Sequence, residues 1–156
     1  MNKVTVKLEG LLNLAQFLKV MAEKKHRVQV GVFGHKAARE NSPGVTNAEV
    51  GIIQEMGSLT RKIPRRSFLH DPLRTHASDL MAAVAKDMER LFRDGKVALF
   101  LKRLGLAAED LIQEAFESRG WGKWAPNAPS TVKSKGSDSP LINHGELRRS
   151  ISSRVV

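Results

Sequence analysis

Two apolar stripes at helical spacing follow one another through the middle of this chain, and they constrain the fold more than any other feature. Leu80, Val84, Met88 and Leu91 make the first; Val97, Phe100, Leu101, Leu104, Ala108, Leu111, Ile112 and Ala115 make the second. Steps of three and four residues gather each set on one side of an α-helix, and that side has to be covered. Asp94 and Gly95 break the periodicity between them. The spacing predicts two long helices over 77–118, the second ending near Ser118.

The flanking sequence predicts how those helices are covered. Residues 2–8 alternate with period two, as a half-buried strand does, and Val28, Val30 and Val32 mark a second strand that Gly34 ends. Between them, Leu11, Leu14, Leu18 and Met21 predict an amphipathic helix over 10–25. Residues 34–46, with Ser42, Pro43 and Gly44, read as a mobile loop. Thr46 and Glu49 have the register of a capping box, and Val50, Ile53 and Met56 stripe a short helix that Gly57 ends. A second loop spans 58–66. The expected fold is α+β: a small antiparallel or mixed sheet packed against two long helices, with extended loops and a C-terminal arm. Residues 1–118 form the expected core domain, and 119–156 a flexible Trp/Pro-rich loop and docking arm of the same domain.

The chain has 156 residues, enough for one domain with its own core, and 41% of them are hydrophobic. It has no cysteine, which excludes disulfides, thiolate metal sites and thiol nucleophiles within the chain. No apolar run approaches the length of a membrane span. The first residues lack the apolar core of a signal peptide, so synthesis in the cytosol is expected.

Charge is distributed unevenly. Residues 60–76 carry 5 basic against 1 acidic side chain and 119–156 carry 7 against 2, whereas 77–118 carry 6 against 8. The net charge of +10 therefore comes mostly from two loop-like regions and the N-terminal part, over an ordinary helical middle. Such an excess attracts polyanions through counterion release, without sequence preference.

A search for chemistry returns little. Gly31 and Gly34 lack the lysine and the spacing of a phosphate loop. The five histidines (26, 35, 70, 76 and 144) are scattered, and His70, Asp71 and His76 sit near a turn or helix start, where such residues commonly cap. Glu109 and Asp110 are adjacent on a helix and point apart. No catalytic, metal or cofactor residues are assigned, and no enzymatic activity is expected. Trp121 and Trp124, interleaved with Arg119 and Lys123, have the composition of a base-stacking loop; the plainer reading is that they anchor the loop to the core. The candidate partner contacts are Arg65, Arg66, Phe68, Trp121, Trp124, Leu141, Leu147 and Ile151.

Three blocks of the sequence, in order, resemble the tail-completion or neck proteins of long-tailed bacteriophages, a group also described as virion morphogenesis or minor tail proteins. The first runs from Ala48 to Gly57 and on through Ile63, Pro64, Arg65, Arg66, Ser67, Phe68 and Leu69, with Ser67 where that family often has proline. Ala98, Leu99, Leu104 and Gly105 resemble its second long helix. Trp124 to Thr131, Lys135–Gly136 and Leu141 to Ile151 resemble its C-terminal segment, with Asn143 and His144 in place of the usual acidic residue and threonine. The resemblance implies a virion protein without catalysis or cofactor. Such a protein forms a homo-oligomeric ring with other neck or tail proteins at the head–tail junction. The alternative is a non-specific DNA-binding or packaging-associated protein, followed by a host-directed inhibitor carried by a mobile element.

Overall fold

A computed structural model describes residues 27–42, 44–93 and 96–156, together with Lys19. The strand expected at 2–8, the helix expected at 10–25 (save Lys19) and the Asp94–Gly95 break lie outside the described residues. The elements are β1 (Val28–Val32), a 3-10 turn (Gly34–Lys36), α1 (Asn47–Met56), α2 (His70–Thr75), α3 (Ala77–Arg93), α4 (Val97–Glu117), α5 (Pro129–Lys135), α6 (Glu146–Ser150) and β2 (Ile151–Val155). The architecture is α+β, as the periodicities predict. Its two main helices are unequal: α4 has 21 residues and α3 has 17.

β1 pairs antiparallel with β2, Val30 opposite Ser153 and Val32 opposite Ile151. The last residues of the segment expected to form a docking arm complete this sheet. The short alternation after Ser150 is that of a strand, and β1 gives it a partner. Arg27 and Val156 exchange both backbone hydrogen bonds, at 2.7 and 2.9 Å. Antiparallel pairs alternate between bonded and non-bonded. The backbone groups of Gln29 and Gly31 therefore face β2, and those of Val28, Val30 and Val32 face the other edge, which has no strand neighbour among the described residues. On the outer edge of β2, the Ser153 N–H donates to the Glu109 carboxylate at 2.6 Å.

α4 lies against this ribbon, and Gly105 permits the approach: a Cβ there would stand 2.5 Å from Ser153 Oγ. One core cluster, Phe68, Ile112, Phe116, Leu147 and Ile151, joins α4 to the start of β2; a second, Val84, Leu91, Val97, Phe100 and Leu101, joins α3 to α4. Ile112 and Phe116 are essentially fully buried, and each such side chain contributes about 1.5–3 kcal/mol of transfer free energy. Beyond α4 the chain reverses through Arg119, Gly120, Trp121 and Gly122, with φ of 55, 66, 54 and 74°. Two of these residues carry side chains, for which that left-handed conformation is costly. The reversal brings Trp124 back onto Phe116, rings edge-on with centroids 5.9 Å apart.

Candidate functional site

The two parts of the first sequence block meet at the end of α1. Thr46 caps the start of that helix: its Oγ1 accepts the Glu49 N–H at 3.1 Å, and Glu49 returns to the Thr46 N–H at 2.7 Å. Glu55 lies in the last turn, where a carboxylate opposes the helix dipole. Its carboxylate accepts the backbone N–H groups of Phe68, Leu69 and His70 at 3.0, 3.0 and 3.1 Å, and the Ser67 hydroxyl as well. Ser67 Oγ in turn accepts the Asp71 N–H at 2.9 Å. One side chain of α1 thereby satisfies the exposed donors at the start of α2. Gly57 turns the chain away after α1 with φ of 73°, and a Cβ there would stand 2.8 Å from the Arg65 nitrogen.

Arg66 draws in the third block. It is 6% exposed; its N–H donates to the Gln54 carbonyl, while Nε and Nη2 donate to the Ala125 and Pro126 carbonyls at 2.9 and 2.8 Å. Trp124 Nε1 donates to the Ser67 carbonyl at 3.2 Å, and Phe68 packs on Phe116 with centroids 5.2 Å apart. Burial lowers the Arg66 pKa, yet guanidinium stays charged near neutrality. Five of the eight candidate contacts thus pack within the subunit. Arg66, Phe68, Leu147 and Ile151 are buried, and Trp124 is half-buried against the core. Leu141, also half-buried, packs on the same cluster.

Arg65 is exposed and Trp121 half-buried. Arg65 pairs in bidentate fashion with Asp71 at 2.7 and 2.8 Å; this contact, with a further one from His70, holds the Asp71 carboxyl well below the usual carboxylate range. Trp121 stacks on His76 at 4.2 Å. With Thr75 and Lys123 they line a pocket of about 200 Å³. His70 turns to Asp71 and His76 to Asp79, at 3.0 and 3.1 Å, as separate pairs. Among the described residues no group of three or more His, Asp or Glu side chains is placed to hold a metal ion.

Two further surfaces escaped the sequence reading. On one, Ile52 and Met56 of α1 are 65 and 70% exposed beside an apolar cavity of about 380 Å³ lined by Gly31, Val32, Phe68 and Leu69. The turn that follows, closed by a bridge between Ser58 and Ile63, carries Leu59 at 99% exposure. The other is a groove of about 740 Å³ between that turn, α5 and residues 143–145. Arg39, Arg61, Lys62, Arg66 and Lys135 line it, with Glu146 as the one carboxylate among its lining residues. Glu146 is already engaged. It accepts the Glu40 and Asn41 N–H groups at 2.8 and 3.1 Å and pairs with Arg39 at 3.0 Å. The Asn41 N–H, then the Glu40 N–H and the Arg39 charge, lower its pKa against the opposing effect of burial. Lys135 is lowered by burial and then by the nearby Arg66 charge. Residues 40 and 41, in the loop expected to be mobile, are tied here to Glu146 by long-range hydrogen bonds.

Comparison of the chain with protein families, curated proteins and solved structures finds no match in any of the three.

Proposed function

We propose that this protein is a non-catalytic virion assembly subunit, a tail-completion or neck component of a long-tailed bacteriophage. In this reading it joins copies of itself and other neck or tail proteins in a ring at the head–tail junction. The observation that carries the reading is the set of exposed apolar side chains Ile52, Met56 and Leu59, the first two beside an edge of β1 that has no strand neighbour among the described residues. Exposed apolar side chains clustered near a strand edge suit protein–protein contact. Ring closure requires one surface to meet a different one on the next subunit. The first and third sequence blocks behind the resemblance also build one buried junction, which suits a shared scaffold more than a shared catalytic centre.

The test is assembly. Ile52→Glu with Met56→Glu alters exposed positions and should leave folding intact. It should abolish rings seen by negative-stain microscopy of the purified protein, and leave separate full heads and tails in a complementation assay. Normal rings and infectious particles from this variant would remove the proposed surface from assembly. Purified wild-type protein that stays monomeric and is absent from virions would sink the reading itself.

A further inference from the structure

The groove between the 58–63 turn and α5 has the chemistry of an anion site that Glu146 does not fill. Arg61 and Lys62 stand exposed on one wall. From the α5 side Lys135 enters, spending one donor on the Ser139 carbonyl at 2.7 Å and keeping two. Arg66 lies beneath, its charge acting on Lys135. Asn127, Ser130, Thr131 and Asn143 add neutral hydrogen-bonding groups around the cations. The sole lining carboxylate has its charge met by Arg39 and two backbone N–H groups. Cations gathered in a concavity reinforce one another's field and raise the local concentration of a polyanion.

We propose that this groove binds the phosphodiester backbone of nucleic acid, without sequence preference. A polymer charged at every residue is favoured over an acidic peptide because the surplus positive charge extends past the groove, 5 basic against 1 acidic over 60–76 and 7 against 2 over 119–156. The contact goes through Arg61, Lys62 and Lys135; Arg65 and Arg66 are committed to Asp71 and to backbone carbonyls. Binding of this kind releases counterions, so affinity falls as salt rises, by about 0.7–0.9 in logarithmic slope per phosphate neutralised. The inference is independent of ring formation, because the groove is complete within one subunit.

Fluorescence anisotropy of a labelled 20-nucleotide strand and its duplex, over a salt series, tests it on the full-length protein. Arg61→Ala/Lys62→Ala/Lys135→Ala should weaken binding roughly tenfold or more at low salt and reduce the slope by about 2. Arg74→Ala/Lys102→Ala/Lys123→Ala, which removes the same charge from exposed sites outside the groove, should change it less than about threefold. The double variant Arg61→Ala/Lys62→Ala, confined to the exposed turn, keeps the test valid if the triple variant melts early. Tighter binding of strand or duplex identifies which form of backbone the groove takes. Equal losses from both triple variants, or no salt-dependent binding by the wild type, would overturn the proposal. So would polyglutamate displacing the oligonucleotide as well as unlabelled strand does, and that outcome would point to an acidic protein partner.

Discussion

Residues 119–156 and the turn at 58–63 begin from similar material: both carry basic side chains and turn-forming or small polar residues, and neither has a long apolar period. Their fates differ. The C-terminal third sends Trp124, Leu147 and Ile151 into contact with the Phe68–Phe116 cluster and ends as a strand on β1. The turn holds Leu59 out in solvent at 99% exposure, with Arg61 and Lys62 beside it. What separates them is the spacing of large apolar residues, not charge or loop composition. Anchors spread along the C-terminal third let it lie down over α4, whereas one leucine on a tight turn has nothing beneath it. The first region therefore belongs to folding, and the second lies open to solvent, where the proposed assembly contact would form.

The largest expected effect tests that division directly. Deleting residues 146–156 removes β2 together with Leu147 and Ile151, so the remainder should lose its cooperative thermal transition by circular dichroism. A folded, monomeric truncation product would make this segment a dispensable arm after all. Next comes Phe116→Ala, which should cost about 3–5 kcal/mol in urea unfolding, because Phe68 and Trp124 both rest on that ring.

The adjacent arginines sharpen the comparison further. Arg66→Ala should destabilise by about 2–3 kcal/mol, since it removes a buried guanidinium and leaves the part-buried carbonyls of Ala125 and Pro126 without their charged donor. Arg65→Ala removes an exposed pair with Asp71 and should cost no more than about 1 kcal/mol. Comparable losses from the two would mean that burial does not separate their roles. Acid provides a parallel test. The folded-state pKa values of Asp71 and Glu146 both lie below the ordinary carboxyl value. Their stabilisation is present above about pH 4 and is lost as pH falls through the lower folded values. The urea midpoint should drop below pH 4, and more shallowly in Glu146→Gln; an unchanged acid profile in that variant would remove Glu146 as a tie between residues 40–41 and α6.

Much of the frame was legible from periodicity. The helices at 47–56, 77–93 and 97–117 and the strand at 28–32 follow from spacing that burial enforces, and the Thr46 capping box from local chemistry. The internal use of the C-terminal segment was not, because the pairing of Val30 with Ser153 spans 123 residues and leaves no mark in either short strand alone. The same holds for Arg66: adjacent arginines look alike until the Ala125 and Pro126 carbonyls arrive from 59 and 60 residues away. Glu55 did leave a hint, as an acid in the last turn of a helix with no base beside it. Such a carboxylate is unfavourable there unless another segment supplies N–H groups to it. The groove left only its excess of charge, because its walls come from three segments far apart in the chain.

The smallest expected effect on stability carries the most weight for contact. Leu59 has almost no surface buried within the subunit, so Leu59→Ser forfeits almost no apolar burial on folding. The unfolding midpoint should move by no more than about 0.5 kcal/mol equivalent. If Leu59 seats on a neighbouring copy, the same change exposes in the assembly a site that leucine had closed, and the oligomer should dissociate at concentrations where the wild type stays assembled. Sedimentation velocity at matched concentrations reads both species at once. A variant that melts early would show that Leu59 supports its own subunit; one with unchanged melting and unchanged sedimentation would leave the turn outside the interface, and assembly would then have to rest on α1 and the β1 edge alone.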